Sequence, residues 1–326
     1  MLTLQRLDWN ECDWARMDAY HDRVIFQTRE WLAFIARTQH AEPVVAALSD
    51  GGATVGYFTA LIIRRVGVGI LGSPFPGWTT SYMGFNLDED VPRREALKAL
   101  PPFAYRSLGC LHLELKDRRL EAGDAAGLGF TQKPNTTFEL DLSASEDEMF
   151  GRMSSACRRC IRKAEKVGVR VEEATDSTFA DDYYAQLVDV FAKQSLTPTY
   201  GVERVRELIQ ELSPSGRLLL LRARAPSGES IATGIFPAMN GTAYFWGGAS
   251  WRQHQQYRPN EAIFWYAMRY WKGRGMSSLD MVGGGDYKRK YGPAEVTVPS
   301  LQKSRIAGLA RLRDAAEAVS RRRFRQ

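Results

Sequence analysis

Cysteine and histidine are scarce in this sequence, and no long apolar run occurs. The four cysteines, Cys12, Cys110, Cys157 and Cys160, are too few for a disulfide framework in a chain of 326 residues, which suits a reducing cytoplasm. Cys157 and Cys160 have C-x-x-C spacing. With no second pair and no histidines beside them, they read as packing residues, and no metal is expected. The four histidines fall into no Ser/His/Asp or Cys/His pattern, so the common nucleophile-and-base layouts are excluded. No stretch approaches the ~18 uninterrupted apolar residues of a membrane span. Met1 to Trp14 is interrupted by Arg6, Asp8, Glu11 and Asp13 and reads as mature sequence, not a signal peptide. A cytoplasmic protein is expected.

What is present is an ordinary globular composition, 44% hydrophobic and 25% charged, with length enough for two domains. The net charge of +6 is concentrated. Lys303 to Gln326 holds eight Lys/Arg against Asp314 and Glu317, a surplus of six that leaves the rest of the chain neutral in sum. Inside that neutral part, Arg152, Arg158, Arg159, Arg162, Lys163, Lys166 and Arg170 face only Glu165. Such clusters focus potential towards phosphates, RNA or acidic lipid, or they are solvated helix faces.

Patterning divides the chain into two stretches with the same order of elements. The first predicts a helix over Thr28–Gln39 with Thr28 as N-cap and Trp31, Leu32, Ile35 and Ala36 at helical spacing. Strands Pro43–Leu48 and Thr54–Arg64 flank the turn Asp50-Gly51-Gly52. Helix Glu89–Leu108, strand Leu111–Leu115, helix Arg118–Ala126 and strand Thr136–Leu142 follow. The second predicts one helix from Ser145 to Lys166, with Ser145 and Glu148 as a capping box. Strand Val169–Glu173 and helices 178–194 and 202–212 come next, then strands Arg217–Arg224, Ser230–Ala238 and Thr242–Ala249. Pro259 opens a helix whose core face is read as Ile263, Tyr266, Ala267 and Tyr270. Strand Ser277–Val282, a loop through 283–293, a strand near Val296–Val298 and a basic helix complete the reading. The expected fold is α+β, duplicated in tandem, with domains at 1–143 and 144–302 and a basic C-terminal helix at 303–326.

Several segments resemble a known family. Arg158-Arg159-Cys160-Ile161-Arg162-Lys163-Ala164-Glu165-Lys166-Val167-Gly168-Val169 is similar to a stretch of the Fem-type transferases and their acetyltransferase-like relatives. Asp286-Tyr287-Lys288-Arg289-Lys290-Tyr291-Gly292 resembles their aromatic-Lys-x-x-aromatic-Gly motif. Phe26-Gln27-Thr28-Arg29-Glu30-Trp31 resembles their F-Q-S-x-x-W opening. The resemblance implies two tandem GNAT-like domains and transfer of an acyl or aminoacyl group to an amine, in peptidoglycan or polysaccharide biosynthesis. It implies no tightly bound cofactor and an anionic donor: aminoacyl-tRNA, acyl-CoA or an acyl carrier protein. The acceptor would be an amine, nucleotide- or lipid-linked. The helical arm many Fem proteins carry has no counterpart here.

Amide formation requires a neutral amine, a stabilised oxyanion and a held carrier. The resemblance places Lys288 near the transferred group, where it would stabilise the tetrahedral intermediate or a phosphate, with Tyr287 and Tyr291 flanking it. His254 is the histidine to test as a base; a substrate-assisted mechanism without a base is equally compatible. Arg158, Arg159, Arg162 and Lys163 make two i,i+4 basic rows suited to a polyphosphate. At the position of the usual GNAT pyrophosphate loop, residues 252–260 contain no glycine. Arg252 and Arg258 would then grip phosphate by side chain or pair with carboxylates, with Asn260 beside them. Tyr244, Trp246 and Asp280 would line a cleft or fill the core. Three readings remain: an aminoacyl-tRNA-dependent transferase, an acyl-CoA- or carrier-protein-dependent N-acyltransferase, and a non-catalytic adaptor that binds RNA or an acidic membrane.

Overall fold

The computed structural model of the chain describes residues 1–306 and 308, apart from 66, 122 and 194. The chain forms two compact units, one of Met1–Thr136 with the strand that continues from Thr297, the other of Thr137–Val296.

The first unit begins with β1 (Thr3–Arg6), α1 (Trp14–Asp18) and α2 (Arg29–Gln39). Thr28 caps α2 as its spacing predicts, its Oγ1 accepting from Trp31 N at 3.3 Å. β2 (Glu42–Asp50) and β3 (Ala53–Arg65) form a hairpin. The turn needs Gly51 and Gly52 at φ 55° and 95°, which only glycine adopts cheaply. β4 (Val68–Ser73), β5 (Gly84–Leu87), α3 (Arg93–Pro102) and β6 (Cys110–Leu115) follow. Alternate residues Val44, Ala46 and Leu48 of β2 and Phe58, Ala60 and Ile62 of β3 meet Ala96, Leu97 and Leu100 of α3 in one core, as the two-residue period of a strand requires.

Two expectations fail in this unit. The helix read as Glu89–Leu108 starts at Arg93 and gives way to a π-helical turn over Phe103–Ser107. Pro101 and Pro102 supply no N–H, so the regular i→i−4 ladder cannot be kept there. Among the described residues of 118–126 no helix forms. Asp117 Oδ1 accepts from Arg119 N and Asp124 Oδ2 from Glu121 N, each at 2.8 Å. These local side-chain bonds compete with helix.

β7 (Thr131–Asp141) leads into the second unit, which continues with α4 (Glu146–Arg152), α5 (Ser155–Lys166), β8 (Arg170–Glu173), α6 (Phe179–Ala192) and α7 (Val202–Leu212). Then come β9 (Leu218–Arg224), β10 (Ser230–Met239), β11 (Thr242–Tyr244), β12 (Gly247–Ser250), α8 (Pro259–Gly273), β13 (Ser278–Asp280) and β14 (Ala294–Ser304). Strands β7, β13, β11, β10, β9 and β8 lie side by side in that order. Only β11 and β13 are parallel. The capping box of Ser145 and Glu148 is present, but the single helix expected over 145–166 is two. Met153 is extended, and Ser154 Oγ caps α5 by accepting from Cys157 N. Cys157 is fully buried in the core.

The core face of α8 differs from expectation by a rotation. Ile263, Phe264, Ala267, Met268 and Trp271 are buried, while Tyr266 and Tyr270 are only partly covered. The basic C-terminal helix expected from 303 is not seen at its start. Lys303 and Ser304 end β14, and Lys303 Nζ donates to the Leu128 carbonyl. The rest of that segment, from 309 on, lies outside the described residues. Among the described residues no helix is long and apolar enough to cross a membrane.

Candidate active site

The site begins where a strand comes apart. The sequence suggests one strand over Thr242–Ala249, but the chain kinks at Phe245–Trp246. Phe245 N donates to Asp280 O on β13 at 2.8 Å, whereas Trp246 N turns back to Ile235 O on β10 at 3.0 Å. β11 therefore pairs with β13, while β12 pairs with β10. Beyond the kink β12 has left β13 and, among the described residues, pairs with β10 alone.

A cavity of about 320 Å³ occupies the second unit here. Its walls are Phe245, Gly248 and Ser250 from the kinked strand, Asn260, Ile263 and Phe264 from the first turns of α8, and Tyr287, Lys290 and Tyr291 from the loop after β13. A volume near 300 Å³ is the small end of ligand pockets. The lining is mostly apolar, with polar groups at the mouth of α8. Ser250 Oγ accepts from Asn260 Nδ2 at 3.0 Å.

The start of α8 solves the missing-glycine problem. Residues Arg252–Tyr257 form a 3-10 turn, and Arg258 takes the left-handed conformation, φ 59° and ψ 42°. An arginine thus occupies the backbone region that glycine would favour, at a cost of roughly 1–2 kcal/mol. The turn is tied down in its first half. Arg252 N and Nε donate to the Asp189 carboxylate, at 2.9 and 3.2 Å, and His254 Nε2 lies 3.0 Å from Glu229 Oε1.

The loop after β13 is held from inside. Asp280 is fully buried and accepts from Thr137 Oγ1 at 2.6 Å and from Val282 N at 2.7 Å. Lys288, 4% exposed, curls back and donates to the carbonyls of Met281, Val282 and Gly283 at 2.8, 2.6 and 3.0 Å. Burial lowers its ammonium to about 8, against an upward pull from Asp280. Tyr291 is buried and stacks on Phe264 with ring centroids 4.5 Å apart. Tyr287 is exposed at the rim. Lys290 pairs with Glu261 at 2.7 Å.

The residues singled out from sequence separate into four groups. Tyr287, Tyr291 and Asn260 line the cavity. Lys288, Arg252, Arg258 and His254 belong to the segments that shape it, without being among its walls. Tyr244 and Trp246 are buried, with Trp246 among the rings of Tyr183 and Tyr200. On α5, Arg158 Nη1 donates to the Gly151 and Met153 carbonyls, and Arg162 lies over the Phe150 ring at 5.2 Å. Arg159 and Lys163 are exposed. Sequence reasoning missed Lys290, Glu261, Ser250 and Phe245. Lys290 was within the quoted motif, but nothing in the spacing separates its direction from that of Lys288. Glu261 is one of the helix-opening carboxylates that the helix dipole favours.

A family model described as acetyltransferase (GNAT) domain matches residues 151–291. A sequence comparison with curated proteins found no match. Among solved structures, FemX superposes with a TM-score of 0.74 at 13% identity, covering 92% of this chain and 97% of that one. A tandem GNAT protein from the clavulanic acid biosynthesis pathway gives 0.57 at 13% identity, over 94% and 100% of the two chains. The C-terminal domain of a putative lysylphosphatidylglycerol synthetase from Agrobacterium fabrum gives 0.57 at 13%, over 88% and 90%. The α+β fold is therefore the one shared by FemX and tandem GNAT proteins, and the stretch that matches the acetyltransferase (GNAT) domain model, residues 151–291, includes the cavity.

Proposed function

We propose that the chain is an acyltransferase that moves an acyl or aminoacyl group from an activated, anionic carrier to an amine. The observation that carries this reading is the cavity at the parted strands β12 and β13, closed by the start of α8 and by the loop of Tyr287 and Tyr291. Its small, largely apolar interior suits the transferred group and the end of its carrier better than a whole nucleotide. The carrier's charge would be met outside, by the exposed Arg159 and Lys163 rows of α5 and by Arg258 at the head of α8.

The chemistry needs little from the protein beyond placement. A neutral amine attacks the carrier's carbonyl carbon, negative charge develops on the carbonyl oxygen, and the carrier departs. A site that fixes both partners and offers donors to the oxygen supplies most of the acceleration. His254 is engaged with Glu229 away from the cavity walls, which favours deprotonation by solvent or by the substrate itself.

An aminoacyl-tRNA donor, with a cell-wall or polysaccharide precursor as acceptor, is the first form of the reading, and the overlap with FemX supports it. An acyl-CoA or acyl-carrier-protein donor is the second. It is favoured by Arg258, whose left-handed backbone after a 3-10 turn creates the kind of corner at a helix start that binds anions. The two are separated by incubating the protein with charged tRNA or with an acyl-CoA series, each with an amine acceptor, and following donor consumption. Consumption of neither by folded protein would remove the acyltransferase reading.

A further inference from the structure

We propose that Lys290, not Lys288, is the cation that stabilises the oxyanion in the transfer cavity, and that Glu261 positions it. The inference rests on the acyltransferase reading above and assigns a residue within that same site.

Two lysines stand on one short turn, Asp286–Tyr291, and point their ammonium groups to different places. An ammonium has three N–H donors. Lys288 spends all three on the carbonyls of Met281, Val282 and Gly283, and it is not among the cavity walls. Reaching a substrate oxygen would require giving up at least one of those bonds inside a buried loop. Lys290 is the opposite case. It is a wall of the cavity, its side chain keeps 32% of its surface, and its one hydrogen-bond partner among the described residues is Glu261 Oε1 at 2.7 Å. Two of its three donors have no hydrogen-bond partner among the described residues.

Its placement is fixed from three sides. Glu261, only 8% exposed, sits in the first turn of α8, where the helix dipole favours a carboxylate. The Lys290 carbonyl accepts from Ser154 N at 2.9 Å, anchoring the turn to the head of α5. The neighbouring Tyr291 ring, buried against Phe264, lies 5.1 Å from the Lys290 ammonium. The pair is also asymmetric, since the carboxylate keeps 11% of its surface and the lysine 32%. Lys290, and not Glu261, is the member of the pair that lines the cavity. A preorganised donor of this kind is worth most where water is excluded.

In the reaction, the lone pair of the neutral amine attacks the carbonyl carbon of the carrier-bound acyl group and a C–N bond forms. The C=O π pair moves to oxygen, and Lys290 hydrogen-bonds to that oxyanion without giving up its proton. When the oxygen lone pair re-forms C=O, the bond to the carrier breaks. The departing thiolate or ribose alkoxide receives the proton released by the amine nitrogen.

The test compares full-length wild type with Lys290→Met, Lys290→Arg, Glu261→Gln and the double variant Lys290→Met/Glu261→Gln, each checked for an unchanged urea midpoint. Wild type must first consume a donor, which tests the acyltransferase reading by itself. Given that, Lys290→Met should lower kcat about 10²–10³-fold with donor KM changed less than about threefold, and Lys290→Arg should recover part of the loss. Glu261→Gln should lower kcat at unchanged KM, and the double variant should be no slower than Lys290→Met, since both losses pass through one group. A folded Lys290→Met enzyme with kcat within threefold of wild type overturns the assignment. If Lys290→Met does not fold, a Lys290→Arg enzyme insensitive to Glu261→Gln overturns it equally.

Discussion

The backbone at Gly292 passes so close to Arg152 that a β-carbon on the glycine would lie 2.4 Å from the Arg152 carbonyl oxygen. Gly292 also has φ 76°, a region that costs other residues roughly 1–2 kcal/mol. Backbone cannot yield as a flexible side chain can, so overpacking adds about 1–3 kcal/mol. Gly292→Ala should therefore lower the urea midpoint, with a loss of stability of roughly 2–5 kcal/mol. Because the same residue ends the turn that carries Tyr287, Lys290 and Tyr291, activity should fall even at temperatures where the variant stays folded. A midpoint equal to wild type would mean that α4 and this turn are not in contact.

Lys288 gives a pH signature. Its ammonium is lowered to about 8 by burial, from an ordinary 10.5. Between those values the unfolded chain binds more protons than the folded one, so this group's contribution to stability rises with pH from about 8 to 10.5. Below pH 8 both states are protonated and the burial penalty is constant. The difference in unfolding free energy between wild type and Lys288→Met should thus increase across pH 8–10.5 in favour of wild type. Urea titrations at pH 7, 8, 9 and 10 read this directly, and a flat difference would show that the three carbonyl bonds offset the burial.

Arg258 separates stability from binding. Its left-handed backbone is strained for arginine and free for glycine. Arg258→Gly should raise stability or leave it within about 1 kcal/mol of wild type. If the guanidinium holds the carrier's phosphates, the same variant should raise donor KM several-fold, and more at low ionic strength, where exposed charges act further. Equal KM values at low and high salt would assign Arg258 a purely structural role.

Much of the fold is legible in the sequence because its signals are local. The Thr28 cap, the Asp50-Gly51-Gly52 turn and the Ser145/Glu148 box each act within four residues. The opening Phe26-Gln27-Thr28 segment proves architectural: Gln27 is buried, and its amide donates to the Gly84 carbonyl at 3.2 Å while accepting from Asn86 Nδ2 at 3.0 Å. What the sequence hides depends on distant partners. The kink at Phe245–Trp246 exists because two different strands compete for successive N–H groups. The break at Met153 comes from a serine able to restart a helix. The opposite directions of Lys288 and Lys290 follow from which carbonyls and carboxylates the rest of the unit brings near. For such features residue type is informative and spacing is not.

In the first unit, Arg93 bridges two buried carboxylates, Asp22 and Asp117. Asp22 also accepts from Asn86 Nδ2 and Leu87 N, and Asp117 from Phe85 N. Burial raises the Asp117 carboxyl above its ordinary value, and Arg93 is the first group pulling it back. Removing the arginine leaves two like charges facing each other out of water. Arg93→Met should cost about 3–5 kcal/mol at pH 7, the usual penalty for stranding buried charge. Replacing Asp117 by Asn in the same chain relieves one of those charges while keeping an acceptor for Phe85 N. The double variant should thus be more stable than Arg93→Met alone, an inversion of simple additivity that a thermal or urea comparison of the three proteins would detect. If the double variant is the least stable, the arginine contributes by packing its stem and not by neutralising the pair.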